Sequence, residues 1–377
     1  MAPEKPRQPD IEPFDAANSV RLGGKQWLVA LLIVAAVLIV LPIAWERVEM
    51  LEAADDYRIP YTLADDYWLF ARFCRQARDE GKAFLLGDSV AWGHYVPQDR
   101  TLSAELNRLA GAQRLANAGV DGIHPAAMAG LVEHYADGIS DSAVVLHCNL
   151  LWMSSKRHDL QVTKEFAFNH PRLVPQFHPD IPCYKEPLAP RLRTVVHRYV
   201  PVFQWAEHVQ IAHFGRRGVS GWTIDHPYEN PARQVALRIP SGHAPAVSPG
   251  EAVSWQRKRI GPMDAEWVAL DESFQWSMFW RTVDALLRKD NRLFIVLGPF
   301  NEHMLTDESR LRYGECKAAA AEWFRRRGIA HVVCPPLPSD LYADASHPLA
   351  AGYAEWARRL WANEQFRQFL REGGPGS

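Results

Sequence analysis

Residues 83–90 read Ala83-Phe84-Leu85-Leu86-Gly87-Asp88-Ser89-Val90. Four apolar residues in a row, closed by a glycine and an aspartate, predict a short strand buried on both faces. A serine at the turn that follows such a strand is not a neutral feature. It sets a hydroxyl at the carboxyl edge of the sheet, where open α/β sheets bind their ligands.

Outward from this stretch, strands and helices alternate. A helix is expected over 102–110, a strand over 114–117, a helix over 124–136 and a very apolar strand over 143–148. After a long gap come a helix at 272–288, a strand at 293–297, a helix at 309–327, a strand at 329–334 and a helix at 349–361. This alternation predicts an α/β domain over residues 80–370, with a parallel sheet flanked by helices. The gap, about 156–271, breaks the rhythm. It is dense in proline, histidine and aromatic residues, with one helical stretch near 191–213, and is expected as an insertion that caps or walls the site.

The N-terminal region has a different composition. Residues 28–44 read LVALLIVAAVLIVLPIA, with no charged side chain, bracketed by Trp27 and Trp45. A helix over 27–45 is long enough to cross a bilayer, and its tryptophans suit the headgroup level. A cleaved signal has a shorter apolar core and no long polar leader. The expected order is therefore a flexible tail rich in proline and charge at 1–26, an anchor at 27–45, and a stalk with linker helices at 46–79. Arg21 and Lys25 before the span place the tail inside and the domain outside.

Bulk composition narrows the function. Of 377 residues, 47% are hydrophobic and 23% charged, which permits a large core, and the net charge of -2 leaves no basic footprint for nucleic acid. The five cysteines are scattered, without the paired spacing of a zinc site, though one disulfide is compatible with an oxidising compartment. The 14 tryptophans fit core packing first, and sugar or membrane surfaces second.

Four blocks follow strands in order: Gly87-Asp88-Ser89-Val90, Asn117-Ala118-Gly119, His147-Cys148-Asn149-Leu150 and Asp344-Ala345-Ser346-His347. In this ordered set of Ser, Gly, Asn and Asp-x-x-His, the chain resembles the SGNH (GDSL-like) serine hydrolases over about residues 80–155 and 290–362. The resemblance implies a flavodoxin-like parallel sheet and acyl transfer without a cofactor. It assigns Ser89 as nucleophile, His347 as base and Asp344 as its partner. It gives the oxyanion hole to the N–H groups of Ser89 and Gly119 and the amide of Asn149. The chemistry agrees, because serine needs a base to lose its proton and a carbonyl oxygen gaining charge needs donors. Taken singly the same residues have bland readings, Ser89 as a helix cap and Asn149 or Asp344 as turn formers.

The third block departs from the family's Gly-x-Asn-Asp by carrying His147 and Leu150, which points to a divergent branch. Anchored branches of this kind are similar to extracytoplasmic proteins that O-acetylate envelope polymers. The resemblance thus implies an ester substrate, such as an O-acetyl group or an acylated glycan, with water or a sugar hydroxyl as acceptor. A silent glycan-binding protein is the rival of another class. Histidines also gather after strands, at His94, His124, His147, His303 and His347. A metal site of three of them lacks a short-spaced ligand pair, and cleft lining is the simpler reading. Asn301 and His303 are the expected substrate contacts, with Trp92, Trp152 and Met153 as walls.

Overall fold

The computed structural model describes residues 22–239 and 252–371. Most of the expected tail and residues 240–251 of the insertion lie outside them. The chain divides into a small unit ending at Arg47 and a large one beginning at Val48. In the first, α1 (Gly24–Val48) is one continuous apolar helix. At 1.5 Å per residue its length is about 37 Å, enough to cross a hydrocarbon core of about 30 Å.

The large unit opens with an irregular segment and α2 (Tyr67–Asp79), whose start is capped by the Asp66 carboxylate accepting from Leu69 N–H at 2.9 Å. The run β1 (Ala83–Leu86), α3 (Ser89–Trp92), α4 (Leu102–Ala110), β2 (Leu115–Asn117), α5 (Pro125–Tyr135) and β3 (Ala143–Cys148) comes next. Three helices occupy the insertion: α6 (Leu188–Tyr199), α7 (Pro201–Phe214) and α8 (Val219–Asp225). The alternation resumes with α9 (Phe274–Leu287), β4 (Arg292–Leu297), α10 (Asp307–Arg326), β5 (Ala330–Val333), α11 (Ala350–Ala362) and α12 (Glu364–Arg371).

All five strands are parallel, in the order β2-β1-β3-β4-β5. Alternate side chains divide between two cores, as the two-residue period of a strand requires. Phe84, Leu86, Val144, Leu146 and Ile295 pack with α2, α5, α9 and α10. Leu85, Val145, Phe294 and Val296 pack with α4, α11 and α12. Both faces are covered, which is why these strands read as unbroken apolar runs.

Three expectations are corrected. The stalk is not an α-helix: α1 stops at Val48, and residues 49–66 hold only the 3-10 turn Tyr61–Leu63 before the domain's first α-helix. Tyr57, Ile59 and Leu63 belong to the core, and Arg58 is fully buried, so this segment is part of the fold. The single insertion helix is two, because Pro201 lacks an N–H and holds Val200 extended (φ -117°, ψ 102°) before starting α7. Finally, α12 adds a helix the sequence reading missed; it buries Phe366, Phe369 and Leu370 on one face.

Candidate active site

β1 is flanked by β2 on one side and β3 on the other. Connections leave it toward opposite faces, so a crevice opens beyond its carboxyl end. Ser89 stands there as the first residue of α3, and its position lets it meet the loop before α11. His347 Nε2 lies 2.8 Å from Ser89 Oγ, and His347 Nδ1 lies 2.8 and 2.9 Å from the two Asp344 oxygens. Asp344 Oδ1 also accepts from the N–H groups of Ser346 and His347, both at 3.0 Å. Burial works against the charge on Asp344, but His347 and these donors outweigh it and hold the carboxyl well below its ordinary range. Burial likewise opposes an imidazolium at His347, yet Asp344 prevails and raises its pKa. The three residues named from sequence therefore converge in hydrogen-bonding order.

The serine turn is fixed from several directions. α3 is only four residues long, so its carbonyls need partners from elsewhere. Ser89 O accepts from the N–H groups of Gly93 and His94, and Val90 O from the Tyr353 hydroxyl at 2.7 Å. Ala91 O accepts from the Asn117 amide, and Trp92 O, Gly93 O and Val96 O all accept from Arg58 at 2.6–2.8 Å. Burial lowers the Arg58 pKa to about 10, and its guanidinium lies 3.7 Å from the centre of the Trp92 ring. Nothing local to Arg58 signals this role, since its partners lie 34 residues or more away.

Asp88 organises the donors. Its Oδ1 accepts from Val90 N–H and caps α3, while Oδ2 accepts from the Asn149 amide at 2.8 Å and the Trp152 indole at 3.0 Å. Burial would raise its pKa, but His147 (3.4 Å from Oδ1) and Asn149 lower it. Asn149 Oδ1 accepts from Leu151 N–H, so the amide is held at both ends with one N–H to spare. The N–H of Ser89 has no acceptor among the described residues.

Gly119 is corrected. Its N–H donates to Asn117 Oδ1 at 3.0 Å and is not available to an oxyanion. It is glycine for packing: a Cβ would stand 2.5 Å from Trp92 N. Three residues on, Gly122 has φ +73° and an N–H without an acceptor among the described residues.

Asn301 is corrected too, while His303 is exposed. Asn301 is fully buried and donates to Asp344 O at 3.0 Å, while its own N–H bonds Ala345 O. His303 Nε2 bonds Leu337 O at 2.9 Å. Both brace the loop that carries Asp344 and His347. Of the expected walls, Trp92 and Met153 are core residues, and Trp152 alone stands at the site, against Asp88.

The remaining histidines have separate partners. His124 bonds Asn169 O and the Gln275 side chain, and His94 pairs with Asp121 at 2.5 Å. A cluster close enough to hold a metal does occur at Glu49, His208 and His213, none of them singled out in sequence. These groups already satisfy one another: Glu49 meets His208 at 3.0 Å, His213 at 2.9 Å and Arg72 at 3.0 Å, and Asp66 takes the other nitrogen of His208 at 2.7 Å. A cavity of about 990 Å³ lies between α9 and α10. It is walled by Trp267, Trp276, Trp280 and Trp323 and holds no nucleophile–base pair. All five cysteines are buried free thiols, so the permitted disulfide is not formed. No known protein family and no curated protein matches this sequence.

Proposed function

We propose that the chain is an SGNH-type serine esterase, tethered by α1 and acting on an O-acyl substrate. The observation that carries this reading is the unbroken relay Asp344–His347–Ser89 at the carboxyl end of β1. His347 takes the Ser89 proton as Oγ attacks the ester carbonyl, and Asp344 fixes the tautomer and balances the imidazolium. His347 then passes the proton to the leaving alkoxide. Water repeats the sequence on the acyl-enzyme and restores Ser89. Charge on the carbonyl oxygen is met by the N–H of Ser89 and the spare N–H of Asn149.

If the relay acts as a unit, its losses do not add. Ser89→Ala and His347→Ala each remove about 10⁴-fold or more of turnover on a short acyl ester, and the double variant is scarcely worse than either. Additive losses would break the reading. α1 is long and apolar enough to cross a membrane, and the flanking Arg21 and Lys25 favour a domain outside. The full chain then resists carbonate extraction, and protease added outside digests the domain. A soluble chain beginning after Ala44 would contradict the anchor.

A further inference from the structure

Five residues after the nucleophile, His94 follows the left-handed Gly93 that ends α3, and its N–H donates to Ser89 O at 3.1 Å. Its ring centre is 5.4 Å from that of His347, and the Tyr95 ring stands edge-on to both. His94 Nδ1 meets Asp121 Oδ1 at 2.5 Å, so Nδ1 carries the proton and Nε2 the lone pair of the neutral ring. That Nε2 has no partner among the described residues, and the side chain keeps 23% of its exposure. Three buried histidines behave otherwise. His124, His170 and His208 have both ring nitrogens engaged and are buried.

A second His–Asp pair thus stands beside the first, with an open acceptor where the first has a serine. An ester presents only acceptors and offers nothing to that nitrogen, whereas a hydroxyl donates to it. We propose that His94, positioned by Asp121, binds a hydroxyl adjacent to the scissile ester, so that the substrate is an acylated polyol with a free neighbouring hydroxyl, as in a partly acylated sugar. The two rings are near enough to address adjacent oxygens of one sugar ring: His347 serves the oxygen that leaves, and His94 holds its neighbour. Asp121 is a positioning residue, since it acts through His94. The inference rests on Ser89 being the nucleophile.

The test uses the full chain in detergent and two probes, a methyl glucopyranoside monoacetate and the same ester with its other hydroxyls O-methylated. The readout is the ratio of their kcat/KM values. Wild type favours the hydroxyl-bearing ester by about tenfold or more, the effect of one buried hydrogen bond with specificity. His94→Ala and Asp121→Asn bring the ratio to near one. A wild-type ratio of one, or variants that slow both esters equally and keep the ratio, would overturn the inference while leaving the serine mechanism intact. Wild type that is never labelled at Ser89 by a fluorophosphonate removes the nucleophile and this inference together.

Discussion

Two chains of alternating carboxylates and imidazoles stand in different parts of the described structure. In the cleft, Asp344 holds His347, which meets Ser89 at 2.8 Å. Behind α2, Asp66 holds His208, which meets Glu49, which in turn meets His213 and Arg72. The parts are the same, and the ends differ. His347 faces a hydroxyl that has a proton to give. His208 faces a carboxylate that can only accept, so its proton is trapped between two acids. Exposure follows the same division: the side chains of His208 and Glu49 are wholly buried, while those of His347 and Asp344 keep 15% and 26% of theirs. An imidazole flanked by acid on both sides is a structural cation. One flanked by acid and hydroxyl is arranged as the proposed mechanism requires of a base.

Pulling the two regions apart by mutation sharpens this contrast. In the cleft, Asn149→Ala is expected to fold normally and lose about 10²–10³ in kcat, the usual cost of one oxyanion donor. Near-wild-type turnover on the same acyl ester would take Asn149 out of the mechanism. In the buried chain, Glu49→Gln leaves His208, His213 and Arg72 without their shared anion. A loss of about 3–5 kcal/mol in unfolding free energy is expected, with the activity per folded molecule retained. A variant as stable as wild type, or one stable but inactive, would erase the distinction between the regions.

The smallest effect is on pH dependence, and its sign separates the two. Burial alone would strip the proton from His208, but Asp66 and Glu49 push its pKa up to about 9. Because the folded value exceeds the ordinary 6.5, its stabilisation is full below about 6.5 and is lost as pH rises through about 9. Glu49 runs the other way: burial would raise its pKa, but the two histidines lower it to about 2. Its share is present above about 4.5 and lost as pH falls toward 2. Under the proposed esterase mechanism turnover needs neutral His347, whose pKa is raised, so activity is expected to climb with pH through a midpoint above 6.5. Thermal melts and initial rates over pH 6 to 9.5 should therefore slope in opposite directions. His208→Gln should flatten the melting slope and leave the rate profile in place. Parallel slopes would mean that one titration governs both.

The same contrast explains what was legible in the sequence. The cleft chain sits on turns after strands, and strands announce themselves by apolar runs such as Ala83–Leu86 and Ala143–Cys148. Helices α4, α9 and α10 lie close to their expected spans, with Thr101, Ser273 and Thr306 capping their starts. The buried chain has no such marker. Glu49 reads as one more acid after an apolar span, and His208 joins it across 159 residues. Arg58 escaped for a related reason: it supports carbonyls distant in sequence. Local patterns carry elements and the turns between them; they do not carry which polar groups meet across the fold.

The most direct test of the serine relay is labelling of the folded, full-length chain with a fluorophosphonate probe, followed by mapping of the modified residue. The relay predicts one labelled site, Ser89, with labelling abolished in Ser89→Ala and strongly slowed in His347→Ala. Folded wild-type protein that takes up no probe, or labelling that persists unchanged in His347→Ala, would contradict it.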